Sequence, residues 1–366
     1  MQHDIKRFGQ FIQFSLGTKE VPPPDISEKE WEWFFNESVR QAIGGITFEG
    51  VKKLCPELMP DQKLFLHWKA HSIKVKHANE VMMKAAVSLT EFFEEHGFKT
   101  RILKGLTNNM LYPNPFSRTP GDIDIWVGGG KEKVLDFIRE NGLEGTVSYH
   151  HFHTDGSFVG FPDVPVEIHF RPSSGNYNPR TNKKIQKFLE AEISFVGEEE
   201  LPTGGKIYFT SPFFKAVMEL SHIQRHFVSG GIGLRHILDY ALLLYSYPVA
   251  NLDTKDLKEL GLYDMAQALS YVFRELLDFD CGIKPNSKTG KLLLRDIFES
   301  GNFGRYATSK DDTLITRWTK REVRSLRLAR VAPSEFIWGE LTIWGNIIKT
   351  IPTRIKNRRL SLNPQQ

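Results

Sequence analysis

Residues 104–127, KGLTNNMLYPNPFSRTPGDIDIWV, lead from a basic glycine turn through a proline-rich loop into a strand that two aspartates open. Because side chains alternate across a strand, Asp122 and Asp124 project from the same face. Two neighbouring carboxylates repel each other unless a cation lies between them, so this spacing indicates a divalent metal ion. The alternative is a strand start that carries Asp after a Pro-Gly turn, since the D-x-D pattern is short and common.

A third carboxylate lies on a later strand-like run, residues 164–170, VPVEIHF. Val166 and Ile168 fall on one face of this run, and Glu167 and His169 fall on the other. A carboxylate amid an apolar strand is costly to bury unless another group compensates its charge. Beside the Asp pair, Glu167 would complete a three-carboxylate clamp for Mg²⁺ or Mn²⁺, as phosphoryl-type transfer requires. The alternative for Glu167 is a surface position on an edge strand.

The order of Lys-Gly turn, short helix, D-x-D strand and later carboxylate strand resembles the DNA polymerase beta nucleotidyltransferase superfamily, and more narrowly its poorly characterised bacterial branch. The similarity spans residues 60–350 and is carried by ILKG, RTPGDIDIWV, VPVEIHF and GLRHILDYALLL. In that superfamily the first two carboxylates hold metals and the third helps to activate the acceptor hydroxyl. The resemblance implies these roles for Asp122, Asp124 and Glu167, and it places the triphosphate at Gly105.

One position departs from the superfamily pattern. The turn glycine is usually followed by Gly or Ser, whereas Leu106 follows Gly105 here. The third carboxylate is Glu rather than the more frequent Asp. Nearby polar and basic residues could serve the phosphates instead, with a lysine acting as a point charge. These candidates for nucleotide binding are Lys104, Gly105, Thr107, Asn108 and Arg118.

Three hypotheses about function remain open. The first is a metal-dependent nucleotidyltransferase that moves a nucleotidyl group from an NTP to a hydroxyl acceptor, with Mg²⁺ or Mn²⁺ as cofactor. Asp122, Asp124 and Glu167 would be both its metal ligands and its catalytic residues. The second is a glycosyltransferase whose D-x-D holds Mn²⁺ against a nucleotide sugar, although it needs neither the Lys-Gly turn nor the third carboxylate. The third is a non-catalytic nucleotide-binding or regulatory protein on the same fold, which Leu106 favours slightly.

The spacing of apolar residues, which changes along the chain between a helical and a strand period, predicts an α+β fold. A small mixed β-sheet is expected as the nucleotidyltransferase core between two helical parts. We expect an N-terminal helical region over residues 1–96, the core over 97–210, and a C-terminal helical domain with a basic tail over 211–366. The sheet is predicted to have four or five strands. Strands are expected over 99–104, 122–127, 146–153, 157–161 and 164–170, with a further pair near 193–196 and 207–209.

Helix-capping residues and helix-breaking stretches predict where helices and loops lie. A helix capped by Asp25 or Ser27 is predicted after the proline run. A long helix is expected from Lys63 to Glu95, with a break near His71. The polar stretch 171–184, RPSSGNYNPRTNKK, is expected to be a mobile loop.

Composition points to a soluble cytoplasmic protein. The chain of 366 residues is 40% hydrophobic and 25% charged, and no apolar run approaches the ~20 residues that span a bilayer. The amino terminus lacks the layout of a signal peptide. Cys55 and Cys281 have no metal-binding spacing, and we expect both to be buried thiols in a reducing cytoplasm.

The positive charge is concentrated near the carboxyl end. The net charge of the chain is +4, but residues 317–359 carry eleven Lys or Arg against three Glu. This region could bind an anionic partner such as membrane headgroups, nucleic acid or an anionic acceptor. The alternative is a solvated helix face.

Several histidines complete the set of candidate residues. His222 and His226 lie four apart on a predicted helix and therefore share one face. Ile223 stands where a zinc protease would need Glu, so the pair is expected to line a cleft or to pack. His169 and Arg235 are further candidates for the cleft. His150, His151 and His153 lie on the predicted strand 146–153, and their sequence context gives little support for a metal site.

Overall fold

The computed structural model describes residues 2–148, 150–154, 160–161, 163–248, 252–309 and 311–356. The first half contains α1 Gln2–Leu16, α2 Glu28–Arg40, α3 Gly44–Val51, α4 Gln62–Glu95, β1 Thr100–Ile102, β2 Ile123–Val127, α5 Lys131–Glu140, β3 Gly145–Val147, β4 His151–Thr154 and β5 Val166–His169. The second half contains α6 Pro179–Glu192, β6 Gly197–Glu200, β7 Lys206–Phe209, α7 Pro212–Ser229, α8 Leu234–Ser246, α9 Thr254–Glu259, α10 Tyr263–Leu277, α11 Ser287–Ser300, α12 Leu314–Leu328 and α13 Pro333–Lys356. Short 3₁₀ helices cover Pro56–Leu58, Gly105–Leu111 and Asn302–Gly304.

The predicted α+β class is confirmed, but the sheet is larger than expected. Within the described residues it has seven strands in the order β3-β4-β5-β2-β1-β7-β6. The β2–β5 and β1–β7 pairs are parallel, and the other pairs are antiparallel. The predicted strand 146–153 is a hairpin of two strands, and the late strand pair joins the same sheet. The prediction of four or five strands was therefore wrong.

The strand register gathers the polar residues of the sheet onto one face. In the parallel β2–β5 pair, Asp124 lies opposite Glu167. In the antiparallel β4–β5 pair, His151 lies opposite His169 and His153 lies opposite Glu167. Directly opposed residues point to the same side of a sheet. Three strands therefore present carboxylates and imidazoles together.

The other face of the sheet is covered by α4 and α5. Ile123, Ile125, Val166 and Ile168 are buried there, in one hydrophobic cluster with residues of both helices. Alternation along β2 and β5 thus separates an apolar face from the polar face that carries the carboxylates. This is the physical reason why the sequence pattern identified the site face.

A second hydrophobic cluster unites the two ends of the chain. Helices α1, α2 and α3 contribute to it together with α7, α8, α10 and α11. Phe11 and Phe34 stack at 5.5 Å between ring centroids, and Phe11 contacts Trp68 of α4. None of the described helices is long and apolar enough to span a bilayer.

Several local predictions need correction. Helix α4 is continuous through His71, and α2 is capped by Ser27, whose side chain forms a capping box with Glu30. The predicted strand 193–196 is wrong, because Ile193 ends α6 and the strand begins only at Gly197. Residues 157–159 of another predicted strand lie outside the described part of the chain. Cys281 is buried as expected, but Cys55 is exposed.

The stretch 171–184 is an anchored segment that runs into a helix, not a loop throughout. Asn178 caps α6, which begins at Pro179. The carboxylate of Glu335 accepts hydrogen bonds from the backbone N–H groups of Tyr177 and Asn178. Asn176 is buried and accepts a hydrogen bond from Gln224. These partners lie far along the chain, so local polarity could not reveal the order of this segment.

Candidate functional site

Three carboxylates meet on the polar face of the sheet, at the amino-terminal ends of the parallel strands β2 and β5. Asp122 directly precedes β2, Asp124 lies within it, and Glu167 lies on β5. One oxygen from each of the three lies within 4.8 Å of the others. Such close anionic oxygens repel one another unless cations lie among them. The structure therefore brings together the three residues that the sequence singled out.

Two cationic groups of the protein lie among these carboxylates. The Lys104 ammonium is 2.7 Å from Asp124 Oδ2. His169 Nε2 is 2.9 Å from Asp124 Oδ1 and 3.4 Å from Glu167 Oε2. Burial would lower the pKa of His169, but its hydrogen bonds to Asp124 and Glu167 raise that pKa to about 9. His169 is therefore a charged donor at neutral pH.

The same contacts keep the carboxylates ionised. Burial would raise the pKa of Asp124, but Lys104 and His169 lower it below its usual value. Burial would likewise raise the pKa of Glu167, and the hydrogen bond with His169 lowers it. Burial would lower the pKa of Lys104, but Asp124 and Asp122 raise it. The site is thus a buried network of opposite charges whose members stabilise one another.

The Lys-Gly turn lies beside this network and explains the unusual Leu106. Gly105 has a φ of +67°, which favours glycine. The side chain of Leu106 is buried in the apolar cluster on the other side of the sheet, so it does not face the site. Asn108 lines the cleft, whereas Thr107 is buried and is not among its lining residues. Lys104, Gly105 and Asn108 are therefore the members of this turn that a ligand can contact.

The carboxylates form one wall of a cleft with a volume of about 290 Å³. Helices α7 and α8 form the opposite wall, together with Phe303. The lining residues that the sequence did not single out as candidates include Ser173, Met218, Glu219, His236 and Phe303.

Three histidines lie on the helical wall. The rings of His222 and His226 are 4.2 Å apart between centroids, and the ring of His236 lies 6.3 Å from that of His226. Burial lowers the pKa of His226 to about 4 and the pKa of His222 and His236 well below the usual value. Burial therefore favours the neutral imidazole in all three. His222, His226 and His236 are among the residues that line the cleft.

Arg118 is held by a residue of the helical wall. Its Nε and Nη2 bind the two oxygens of Asp239 at 2.8 and 2.7 Å. The Tyr112 hydroxyl donates to the same carboxylate at 2.7 Å. The Arg235 guanidinium donates to the carbonyls of Thr119 and Pro120, just before the Asp pair. Arg118 lines the cleft, but its charge is already compensated, which makes it a weaker candidate for the triphosphate than Lys104.

Glu219 is a buried carboxylate of the cleft that sequence reasoning missed. Asn108 Nδ2 donates to its Oε1 at 2.7 Å. Burial raises the pKa of Glu219 to about 7, and burial lowers the pKa of Lys215, one turn earlier on α7, to about 8. A Lys-x-x-x-Glu pair within an otherwise apolar helical stripe was the signal that could have revealed it.

A family model of uncharacterised nucleotidyltransferases matches residues 27–278. The chain belongs to this family. The matched region includes all seven strands, the three carboxylates and the helical wall formed by α7 and α8.

Other comparisons add little about this nucleotidyltransferase. A solved structure of an antigenic nucleotidyltransferase-like protein from Paracoccidioides brasiliensis is similar at 14% identity, over 59% of this chain and 96% of that chain, with a TM-score of 0.34. The identity of 14% and the TM-score of 0.34 are too low for that structure to say anything about the site. No curated protein sequence matches the chain.

The residues present fit a divalent metal ion. Two sets of side chains bring at least three ligand atoms within 4.8 Å of one another, Asp122–Asp124–Glu167 and His151–Glu167–His169. The first set offers only carboxylate oxygens, which suit Mg²⁺ or Mn²⁺. Lys104 and His169 occupy positions beside these oxygens and compensate their charge.

Proposed function

We propose that this nucleotidyltransferase moves a nucleotidyl group from an NTP to a hydroxyl acceptor, in the manner of the DNA polymerase beta superfamily, with Mg²⁺ or Mn²⁺ at Asp122, Asp124 and Glu167. The observation that carries the proposal is the convergence of these three carboxylates next to the Lys-Gly turn, in one cleft. A glycosyltransferase of the D-x-D type requires neither the turn nor the third carboxylate.

The chain's own residues can bind and orient both substrates. Gly105, with no side chain, lets a phosphate approach the backbone of the turn. The Lys104 ammonium lines the cleft and can contact the same phosphates as a point charge. Asn108 offers amide atoms at the next turn of the 3₁₀ helix. When bound, a divalent ion supplies positive charge to the phosphate oxygens.

Glu167 is the residue best suited to bind and orient the acceptor hydroxyl. Its carboxylate is partly exposed in the cleft, and the hydrogen bond with His169 keeps its pKa low. It can therefore accept a hydrogen bond from the acceptor hydroxyl and orient that oxygen toward the α-phosphorus. As the acceptor oxygen bonds to phosphorus, Glu167 takes its proton, and pyrophosphate leaves with the electrons of the broken P–O bond.

The proposal is tested with each α-labelled NTP in Mg²⁺ or Mn²⁺, on the wild-type chain and an Asp122→Asn/Asp124→Asn double variant. We expect metal-dependent NTP binding that the double variant loses, and release of pyrophosphate with transfer of label to an acceptor. Asp136→Asn, on the exposed surface of α5, is the matched control and should behave as the wild type.

The remaining outcomes separate the other two hypotheses. Metal-dependent binding of a UDP-sugar without NTP binding would contradict nucleotidyl transfer and support a glycosyltransferase. NTP binding without pyrophosphate release or label transfer, across a panel of sugar, protein and nucleic-acid acceptors, would support a nucleotide-binding protein that does not catalyse transfer.

A further inference from the structure

A second group of metal-ligating side chains lies beside the three carboxylates and contains nitrogen. His151 on β4 is directly opposite His169 on β5, and Glu167 lies two residues before His169. His151 Nε2 is 3.8 Å from Glu167 Oε1, and His169 Nε2 is 3.4 Å from Glu167 Oε2. Both imidazoles thus direct a ring nitrogen at one carboxylate.

The spacing of these atoms matches ligands around a single ion. Metal–nitrogen bonds of about 2.0–2.1 Å in tetrahedral geometry place neighbouring ligand atoms roughly 3.4 Å apart. The separations of 3.4 and 3.8 Å are close to that value, although they run to different oxygens of Glu167, and one ligand atom from each of the three side chains lies within 4.8 Å of the others. The His151–Glu167 separation is too long for a hydrogen bond, so direct hydrogen bonding does not explain the approach of these two side chains.

From this geometry we infer that His151, Glu167 and His169 form a site for a divalent transition-metal ion, such as Mn²⁺, Co²⁺ or Zn²⁺, which would take the place of the proton that His169 Nε2 donates to Asp124 and Glu167. Imidazole nitrogen suits these ions, whereas Mg²⁺ is bound through oxygen ligands. Glu167 belongs to both groups, so this site lies directly beside the carboxylates of Asp122 and Asp124. The inference concerns metal binding alone and requires no nucleotide.

The test uses Mn²⁺ alone, without nucleotide, and pulsed electron paramagnetic resonance, which detects ¹⁴N nuclei bonded to the ion. We expect nitrogen coupling in the wild type and in Asp122→Asn, which removes one ligand of the all-carboxylate group. His151→Ala should lose the coupling of one nitrogen, since His169 remains, and should weaken Mn²⁺ binding on the order of tenfold or more. His77→Ala removes an exposed imidazole of α4, away from the cleft, and should leave both unchanged.

Absence of nitrogen coupling in the wild type, or coupling that His151→Ala leaves unchanged, would overturn the inference. Circular dichroism checks that each variant folds, and His151→Gln serves as a second variant of similar size. NTP binding is measured separately, so failure of the proposed transfer reaction does not affect this result.

An independent observation concerns α12 and α13, whose outer surface is apolar. Along α13, four large side chains recur at helical spacing and are 41–63% exposed: Ile337, Leu341, Trp344 and Ile348. The opposite side of α13 packs on α7, where the rings of Phe336 and Phe227 are 5.7 Å apart. On α12, Ile315 and Leu326 are 76% and 78% exposed. We call this set of six residues the outer apolar face.

The two helices present this face together. The rings of Trp318 and Trp344 are 6.2 Å apart in an edge-to-face arrangement. Arg321 of α12 binds Glu340 of α13 at 2.8 Å, so the helices lie side by side. Tryptophans at the border of an apolar face are typical of helices that lie in a membrane interface.

The residues that follow the outer apolar face in the sequence are basic, and their charge indicates the kind of partner. No Asp or Glu occurs in the sequence after Glu340, whereas five basic residues do: Lys349, Arg354, Lys356, Arg358 and Arg359. An apolar face with an adjoining basic segment provides the two signals that reversible membrane binding needs. We propose that the outer apolar face docks on an anionic lipid bilayer.

Vesicle flotation with the full chain tests this docking. We expect binding to vesicles that contain phosphatidylglycerol, weaker binding to pure phosphatidylcholine, and a loss of binding on the order of tenfold or more in Leu341→Glu/Ile348→Glu, since charges at buried interfacial positions are costly. Leu66→Glu, at a comparably exposed apolar residue of α4, is the control and should bind as the wild type.

Equal binding of the double variant and the wild type would overturn the proposal. So would a dimer in size-exclusion chromatography that the double variant dissociates while neither protein binds vesicles, because the face would then be covered by a second copy of the chain.

Discussion

Arg118 and Asp239 show how single charged residues hold the cleft together. Both are buried, and two short contacts join the guanidinium to the carboxylate. We expect Asp239→Ala to lower the free energy of unfolding by about 3–5 kcal/mol, because Arg118 would remain buried without a counter-charge. Urea denaturation measures this loss.

The exposed pair Asp136–Arg139 on α5 provides the control for that prediction. Asp136→Ala should lower the free energy of unfolding by less than about 1 kcal/mol, because solvent screens exposed pairs. Similar losses in the two variants would show that burial does not determine the contribution of the Arg118–Asp239 pair.

Glu219 makes stability depend on pH. Burial raises its pKa to about 7 from the usual 4.5. Because folding raises this pKa, Glu219 ionises less readily in the folded chain than in the unfolded chain. The stability that the protonated carboxyl contributes is fully present below pH 4.5 and is lost as the pH rises to about 7. Relative to the wild type, Glu219→Gln should therefore gain roughly 1–3 kcal/mol of unfolding free energy between pH 4.5 and pH 7.5.

Urea denaturation at the two pH values measures this gain. The variant keeps an oxygen that can accept the hydrogen bond from Asn108. Glu91→Gln, at an exposed position of α4, should differ from the wild type by the same amount at both pH values. A pH-independent effect of Glu219→Gln would contradict the raised pKa.

At the scale of elements, α4 positions the loop that leads to the Asp pair. Asn79, fully buried in the middle of this helix, donates through Nδ2 to the carbonyls of Phe116 and Arg118 at 2.9 and 2.7 Å. Its Oδ1 accepts a hydrogen bond from Asn109 at 2.7 Å. One side chain of α4 therefore links the 3₁₀ helix to the loop before β2.

We expect Asn79→Leu to lower the free energy of unfolding by about 2–4 kcal/mol, since it leaves several buried polar groups without partners. It should also weaken Mn²⁺ binding, because Asp122 follows the loop that Asn79 holds. Thermal denaturation and metal titration measure the two effects. His77→Leu, at a residue of α4 whose side chain is 77% exposed, is the control and should change neither by much.

The elements differed in how well the sequence predicted them. Helices with a clear apolar period, such as α4, and the alternating strands β2 and β5 were predicted to within a few residues. The hairpin β3–β4 was missed, because no Gly, Pro, Asn or Asp lies between residues 147 and 151 to indicate a turn. The order of residues 171–178 was missed as well, because Glu335 and Gln224 supply its partners from distant elements.

At the scale of the whole molecule, the two ends of the chain form one helical layer. Gly9 of α1 lies against the backbone of α10, and a Cβ at this position would lie 2.8 Å from the carbonyl oxygen of Leu276. The Gln13 side chain donates to the same carbonyl. The division into regions at residues 96 and 210 stays a prediction, although the apolar side chains of α1–α3 are buried by the C-terminal helices.

We expect Gly9→Ala to lower the free energy of unfolding by about 1–3 kcal/mol, because α1 and α10 must move apart to admit a methyl group. Gly345→Ala, where nothing lies near the added Cβ, should be neutral or stabilise α13 by up to about 1 kcal/mol. Urea denaturation compares the two, and a Gly9→Ala variant as stable as the wild type would contradict the close contact of the helices.

The sequence by itself determined the local features of the site: the shared face of Asp122 and Asp124, the strand of Glu167, and the turn at Gly105. Alternation and backbone sterics depend only on neighbouring residues, so these features follow from local pattern. Tertiary structure was needed to place His151 opposite His169 and to join Arg118 to Asp239, 121 residues away. Strand pairing and the burial of charge depend on distant partners, and the Asp122–Asp124 pair became part of a charged cleft only through them.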